Sequence, residues 1–315
     1  MIKAIVSQNA SYIYHMLSIG KCGYDNEYGT HARKYHNSDD ILTLEKLKTH
    51  ITVSGGEYCG DLYTLCVSIP AAFDEPQNMF EYFDAIIDLL EGNNIEHNFK
   101  KYERIYLKSF GVNGIAITIE NLKAFYDSIL CLKDEILKIL KIYKSNYQIY
   151  IDYFWKDNYE KCCKVCNQVN EIVVREQYFE KWQCELDTVY KHGNFFAILC
   201  NSIANGPQAI DISNNKNIFL ASDDISDICN LISHEFGIYL LKDTLLKDTP
   251  AFQDFSYYDQ TEALAEFYTR KISGGHQKFI FNEEYIQYYN QKAQESPNIT
   301  PKELFFLLTN ENDAK

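Results

Sequence analysis

The chain has 315 residues, enough for one large domain or two ordinary ones, and 46% of them are hydrophobic, so it can bury a sizeable core. Aromatics are abundant (25 Tyr, 19 Phe) and Pro and Gly are scarce (6 and 14), which argues for an ordered, helix-rich globular protein and against a disordered one. A formal charge of −14 with no basic stripe repels phosphate backbones and anionic surfaces, so neither nucleic acid nor a membrane is an expected partner.

The first residues, MIKAIVSQNASYIYHML, turn polar by position seven and lack the apolar run of a signal peptide. No stretch of about 18 apolar residues is free of charge, so no membrane span is expected. The ten cysteines are scattered, with no disulfide framework. Reduced thiols and a cytoplasmic location are the expectation.

In chain order, residues 9–19 read as a short helix with Asn9 as a candidate cap and Gly20 just past its end. The polar stretch 21–40 reads as a solvated loop. It holds His31 and His36 near Asp25 and Glu27, but at no spacing that matches a metal geometry. Residues 62–69, LYTLCVSI, read as a strand, 78–92 as a helix closed by a glycine, and 113–119 as another strand. From Glu120 to about Tyr143 apolar residues recur at three and four, predicting one long amphipathic helix. More helix follows through 162–186, which contains Cys162, Cys163 and Cys166. A lone C-x-x-C on a helix with no second pair is more simply structural than a metal or redox site. Residues 195–200, 208–212 and 217–221 read as three strands separated by Asn- and Gly-rich turns.

Residues 222–243 predict a helix capped by Ser222 or Asp223, with His234 and Glu235 at its centre. Residues 260–272 predict a second helix, with Glu262 and Glu266 four apart on one face. A strand, then a helix bearing His-Glu-Phe-Gly, then a helix bearing Glu-Ala-Leu-Ala-Glu-Phe resembles the gluzincin branch of the zincin metallopeptidases. The downstream helix is similar to that of lethal-factor-type catalytic domains. The resemblance covers residues 190–275 and implies zinc as cofactor and a peptide or protein as substrate or partner. It implies His234 and Glu262 as metal ligands, Glu235 as the general base, Glu266 as the acid orienting the histidine, and Tyr257 or Tyr258 as an oxyanion-stabilising tyrosine.

The pattern departs from the family at one position. Ligands at i and i+4 share a helix face, but the fourth residue after His234 is Ile238, which cannot bind a metal. Tyr239 lies roughly 140° around the helix from His234 and is no substitute. A replacement would come from elsewhere, with His276 nearest in sequence and His192 or the His31/His36 stretch more distant. Three readings stay open: a divergent hydrolase, a catalytically dead zincin fold that binds a peptide or protein, or a coincidental His-Glu. The first two require His234 and Glu262 within about 10 Å of each other, since zinc ligands lie about 2 Å from the ion. The expected architecture is α+β and helix-rich: a mixed region over 1–120, a helical region over 121–190, and over 191–315 a zincin-like domain with a small sheet and an active-site helix.

Overall fold

A computed structural model describes residues 1–52, 60–92, 94–111, 118–242, 258–274 and 283–313. The fold is α+β and helix-rich, with one mixed four-stranded sheet. The strands are β1 (Ile2–Ile5), β2 (Phe195–Cys200), β3 (Ala209–Ser213) and β4 (Lys216–Leu220), ordered β1-β2-β4-β3. β3 and β4 pair antiparallel, Ile210 facing Ile218, with a shift of register between Asp211 and Ser213. Among the described residues no helix is long and apolar enough to cross a membrane.

The chain divides into two compact units, each assembled from separated segments. Unit 1 comprises residues 1–4, 167–197 and 222–315, and unit 2 comprises 5–166 and 198–221. The regions 1–120, 121–190 and 191–315 read from the sequence are contiguous stretches.

Unit 2 is built around α1 (Gln8–Ile19), whose residues from Asn9 to Ile19 are all buried. A helix buried on every side has no polar face, so its polar residues must find partners inside. Its cap is Ser7, two residues before Asn9: the Ser7 hydroxyl accepts the amide of Ala10. Asn9 is instead a core residue whose amide donates to the Phe73 carbonyl at 2.7 Å.

The stretch 21–40 is not a loop. Asn26 caps a short helix, α2 (Glu27–Ala32), a 3-10 turn covers Arg33–Tyr35, and α3 (Ser38–Ile51) starts on the Asn37 cap. The strand expected at 62–69 is also helix: a π-turn over Thr64–Ser68 runs into α4 (Ile69–Ala72). Residues 65–72 are buried almost throughout, and a short apolar run buried on every side has the same composition in either conformation.

Then come α5 (Pro76–Gly92) and α6 (Ile95–Gly111). Residues 112–117, most of the strand expected at 113–119, lie outside the described residues, and Ile119 opens α7 (Ile119–Ile129). The single helix expected over 120–143 is two. A 3-10 turn at Leu130–Leu132 separates α7 from α8 (Lys133–Tyr150). A π-turn over Ile151–Trp155 then joins α8 to α9 (Lys156–Arg175).

Unit 1 holds α10 (Tyr178–Glu185), α11 (Ile225–Leu240), α12 (Tyr258–Ser273), α13 (Glu283–Glu295) and α14 (Pro301–Asp313). Gln177, with φ of 56°, breaks the helix predicted through 162–186 into α9 and α10.

Candidate functional site

α11 starts where its acidic stretch supplies a cap. The Asp224 carboxylate accepts the amide of Asp227 at 3.1 Å, so Asp224, not Ser222 or Asp223, is the cap; Ser222 braces the turn before it. The helix is anchored by Phe236, whose ring lies 5.2 Å from both Phe179 and Tyr190 and 5.5 Å from Phe195. Behind it sits Trp182, fully buried, donating its indole N–H to the Ser233 hydroxyl at 2.9 Å. Gly237 lets this ring approach: a Cβ there would stand 2.2 Å from a Trp182 ring carbon.

α12 carries Glu262, Glu266 and Arg270 at intervals of four, one helix face. That face meets His234. The His234 Nε2 is 3.0 Å from Glu262 Oε2, and its Nδ1 is 3.3 Å from Glu266 Oε2. The imidazole is 1% exposed and the two carboxylates 12% and 2%. Glu266 in turn accepts from Arg270 Nε at 3.1 Å, and Arg270 forks onto Glu283 at 3.1 and 2.8 Å. Neither Arg270 nor Glu283 was singled out from the sequence, although Arg270 falls one turn beyond Glu266 and was within reach of the same spacing argument.

Burial works against a charge on His234, but the hydrogen bonds to Glu262 and Glu266, with the Glu235 charge behind them, override it and raise the imidazole to about 10. Tyr258 belongs to the same cluster. Burial, then the charge of Glu262 and a hydrogen bond to it, hold the phenol proton on well above its usual range. The half-buried Glu235 is felt electrostatically by both His234 and Tyr258. The structure thus brings His234, Glu235, Tyr258, Glu262 and Glu266 together. His276 and Tyr257 lie outside the described residues. His192 is exposed and packs on Tyr190, and His36 is buried in unit 2.

Two donors on one tetrahedral zinc stand about 3.3 Å apart, so a His234–Glu262 separation of 3.0 Å is of the right size for a shared ion. A hydrolytic zinc takes three protein ligands. The position one turn beyond His234 holds Ile238, an apolar core side chain 3% exposed. Among the described residues no group of three or more His, Cys, Asp or Glu side chains is placed to hold a metal ion. Two donors are present and the described residues do not complete the set.

The C-x-x-C region offers no alternative. The motif is Cys163 and Cys166 on α9: Cys163 is half-buried, and Cys166 is buried, which pushes its thiol up to about 12, away from the thiolate that metal binding or redox exchange needs of both. No family model, no curated protein and no solved structure matches this chain.

Proposed function

We propose that unit 1 is a peptide- or protein-binding module on a zincin-like helical frame, working in the cytoplasm, with an incomplete ligand set for hydrolysis. One observation carries this reading. His234 is closed between Glu262 and Glu266, while the helix position that would bring a second nitrogen donor is the buried Ile238. Glu235, Glu262 and Tyr258 then serve recognition, as hydrogen-bond acceptors and a donor beside a hydrophobic helix, while the buried Glu266 holds His234 and Arg270 in place.

A second reading has its own support. Glu235, Tyr258 and Glu262 remain grouped about His234, as a divergent zinc peptidase would need, with His276 as the missing ligand, Glu235 as the base and Tyr258 steadying the oxyanion. The deciding measurement is the zinc content of chain purified without chelator, beside His234→Ala and Ile238→His. The binding-module reading expects no stoichiometric zinc in the parent and about one per chain in Ile238→His, whose new imidazole falls on the His234 face. One zinc per parent chain, lost in His234→Ala, would overturn it and install the peptidase.

A further inference from the structure

Unit 2 buries a second histidine cluster that shares nothing with His234. His15, on α1, is fully buried, and His36, just past the 3-10 turn, is 8% exposed. Their Nε2 atoms face each other at 2.9 Å. His15 Nδ1 is 2.7 Å from the Tyr28 hydroxyl, and His36 Nδ1 is 2.8 Å from Asn146 Oδ1. Asn146 spends its NH2 group on Asp40 Oδ2 at 2.8 Å and the Ile142 carbonyl at 2.9 Å. Asn158 donates to the Tyr28 hydroxyl at 2.9 Å.

These partners fix the direction of every hydrogen bond. Because the Asn146 NH2 is committed, its oxygen can only accept, so His36 donates from Nδ1. A neutral His36 then accepts at Nε2, so His15 donates from Nε2 and accepts at Nδ1 from the Tyr28 hydroxyl. One arrangement, with both rings neutral, satisfies the whole chain from Asn158 to Asp40. A first added proton lands on His15 Nδ1 and forces Tyr28 to turn from donor to acceptor against Asn158. A second would set two N–H groups head-on at 2.9 Å.

The surroundings compensate His36 only in part and His15 not at all. Phe154, carried inward by the π-turn, has its ring 4.8 Å from His15 and stacked 6.1 Å from His36, and the Tyr150 ring is 4.9 Å from His15. The titratable groups facing the pair are Tyr28 from α2, Asp40 from α3, Tyr150 from α8, and Cys162 and Cys200 beside Tyr28. Tyr35 packs edge-on against Phe154. Burial keeps the Tyr28, Tyr150, Cys162 and Cys200 protons on. Asp40 accepts from the Asn146 amide, and its charge together with the Asn146 hydrogen bond offsets part of the burial of His36. Burial lowers both imidazoles, His15 well below its usual value with the neighbouring His36 adding to the effect.

We infer that the His15–His36 pair is an acid-operated latch that holds the segment 24–37 on α1 and loosens it when the two rings take up protons. The other anchors of that segment involve no histidine. Asn26 donates to the carbonyls of Ser202 and Ala204 at 2.8 Å, and Arg33 pairs with Glu45. The sign follows from the lowered values: the opened segment binds protons that the closed one refuses. Closure is therefore full above about pH 6.5 and weakens as pH falls below it.

Hydrogen exchange of the whole chain at pH 7.5 and 5.0, corrected for intrinsic rates, tests this. Protection over 24–37 is expected to fall about 30-fold if one histidine must charge on opening, and up to about 1,000-fold if both must. The α5 helix should keep its protection. His36→Gln removes one titrating group, so the drop shrinks to about 30-fold or less. Equal protection at both pH values, or an equal loss in α5 and 24–37, overturns the latch. The wild-type comparison decides this even if the variant does not fold.

Discussion

Gly237→Ala tests how the helix bearing His234 is seated. The added Cβ would lie 2.2, 2.4 and 2.8 Å from three carbons of the Trp182 six-membered ring. Carbon atoms settle at about 3.5–4.0 Å, so ring and helix must part by roughly 1 Å or more. Trp182 has no solvent to withdraw into, and its indole bond to Ser233 is made on the same helix that must move. Overpacking of this kind costs about 1–3 kcal/mol, and straining a buried hydrogen bond adds about 1. Alanine returns about 1 kcal/mol through helix propensity. The balance is a destabilisation of about 2 kcal/mol, read as a lower urea midpoint by circular dichroism. Gly92→Ala is the control: its Cβ would meet nothing within 4 Å, so that change should be neutral or stabilise by up to about 1 kcal/mol. Trp182→Phe should relieve Gly237→Ala in a double-mutant cycle. A Gly237→Ala chain as stable as the parent would refute the packing argument.

Two further outcomes follow from the site and the thiols. Glu266→Gln takes the charge from a carboxylate 2% exposed that serves His234 and Arg270, and should cost about 3 kcal/mol; Glu283→Gln, 40% exposed, should cost under about 1. Equal shifts in denaturant midpoint for the two variants would show that Glu266 does not organise the cluster. In the native protein, a thiol reagent followed by mass spectrometry should modify the exposed Cys131 and Cys184 first. Cys22, Cys66, Cys162, Cys166, Cys200 and Cys229 are buried and should wait for unfolding; early labelling of Cys166 would revive the C-x-x-C as a reactive site.

What the sequence made legible follows local periodicity. The three strands after residue 190 and the two helices bearing His234 and Glu262 have clear periods and clear punctuation, and they stand where expected. Residues 62–69 went the other way because burial on all sides erases the period that separates helix from strand. β1, four residues long, offered too short a pattern to read. The stretch 21–40 looked solvated because its polar residues are spent on internal bonds: Asn26 on Ser202 and Ala204, Arg33 on Ile19, His36 on His15 and Asn146. His15 and His36 are 21 residues apart, and His36 and Asn146 are 110 apart, so no spacing rule connects them. The nearest signal was α1 itself, which has no polar face on which to expose a histidine.

The π-turn at 151–155 sets an angular relation on which the buried chain of bonds depends. Asn146 reaches His36 from before that turn, and Asn158 reaches Tyr28 from after it. Deleting one residue there would leave an ordinary α-helix, with no breaker gained and little length lost. Five residues in a π-turn sweep about the same angle as four in an α-helix, so Asn158 would keep nearly its present direction about the axis and still face Tyr28. At this point in the chain a single-residue deletion is absorbed by the turn, whereas the same deletion in the regular helix between Asn146 and the turn would rotate Asn158 by about 100° off Tyr28 and separate the two ends of the network without altering one of its side chains.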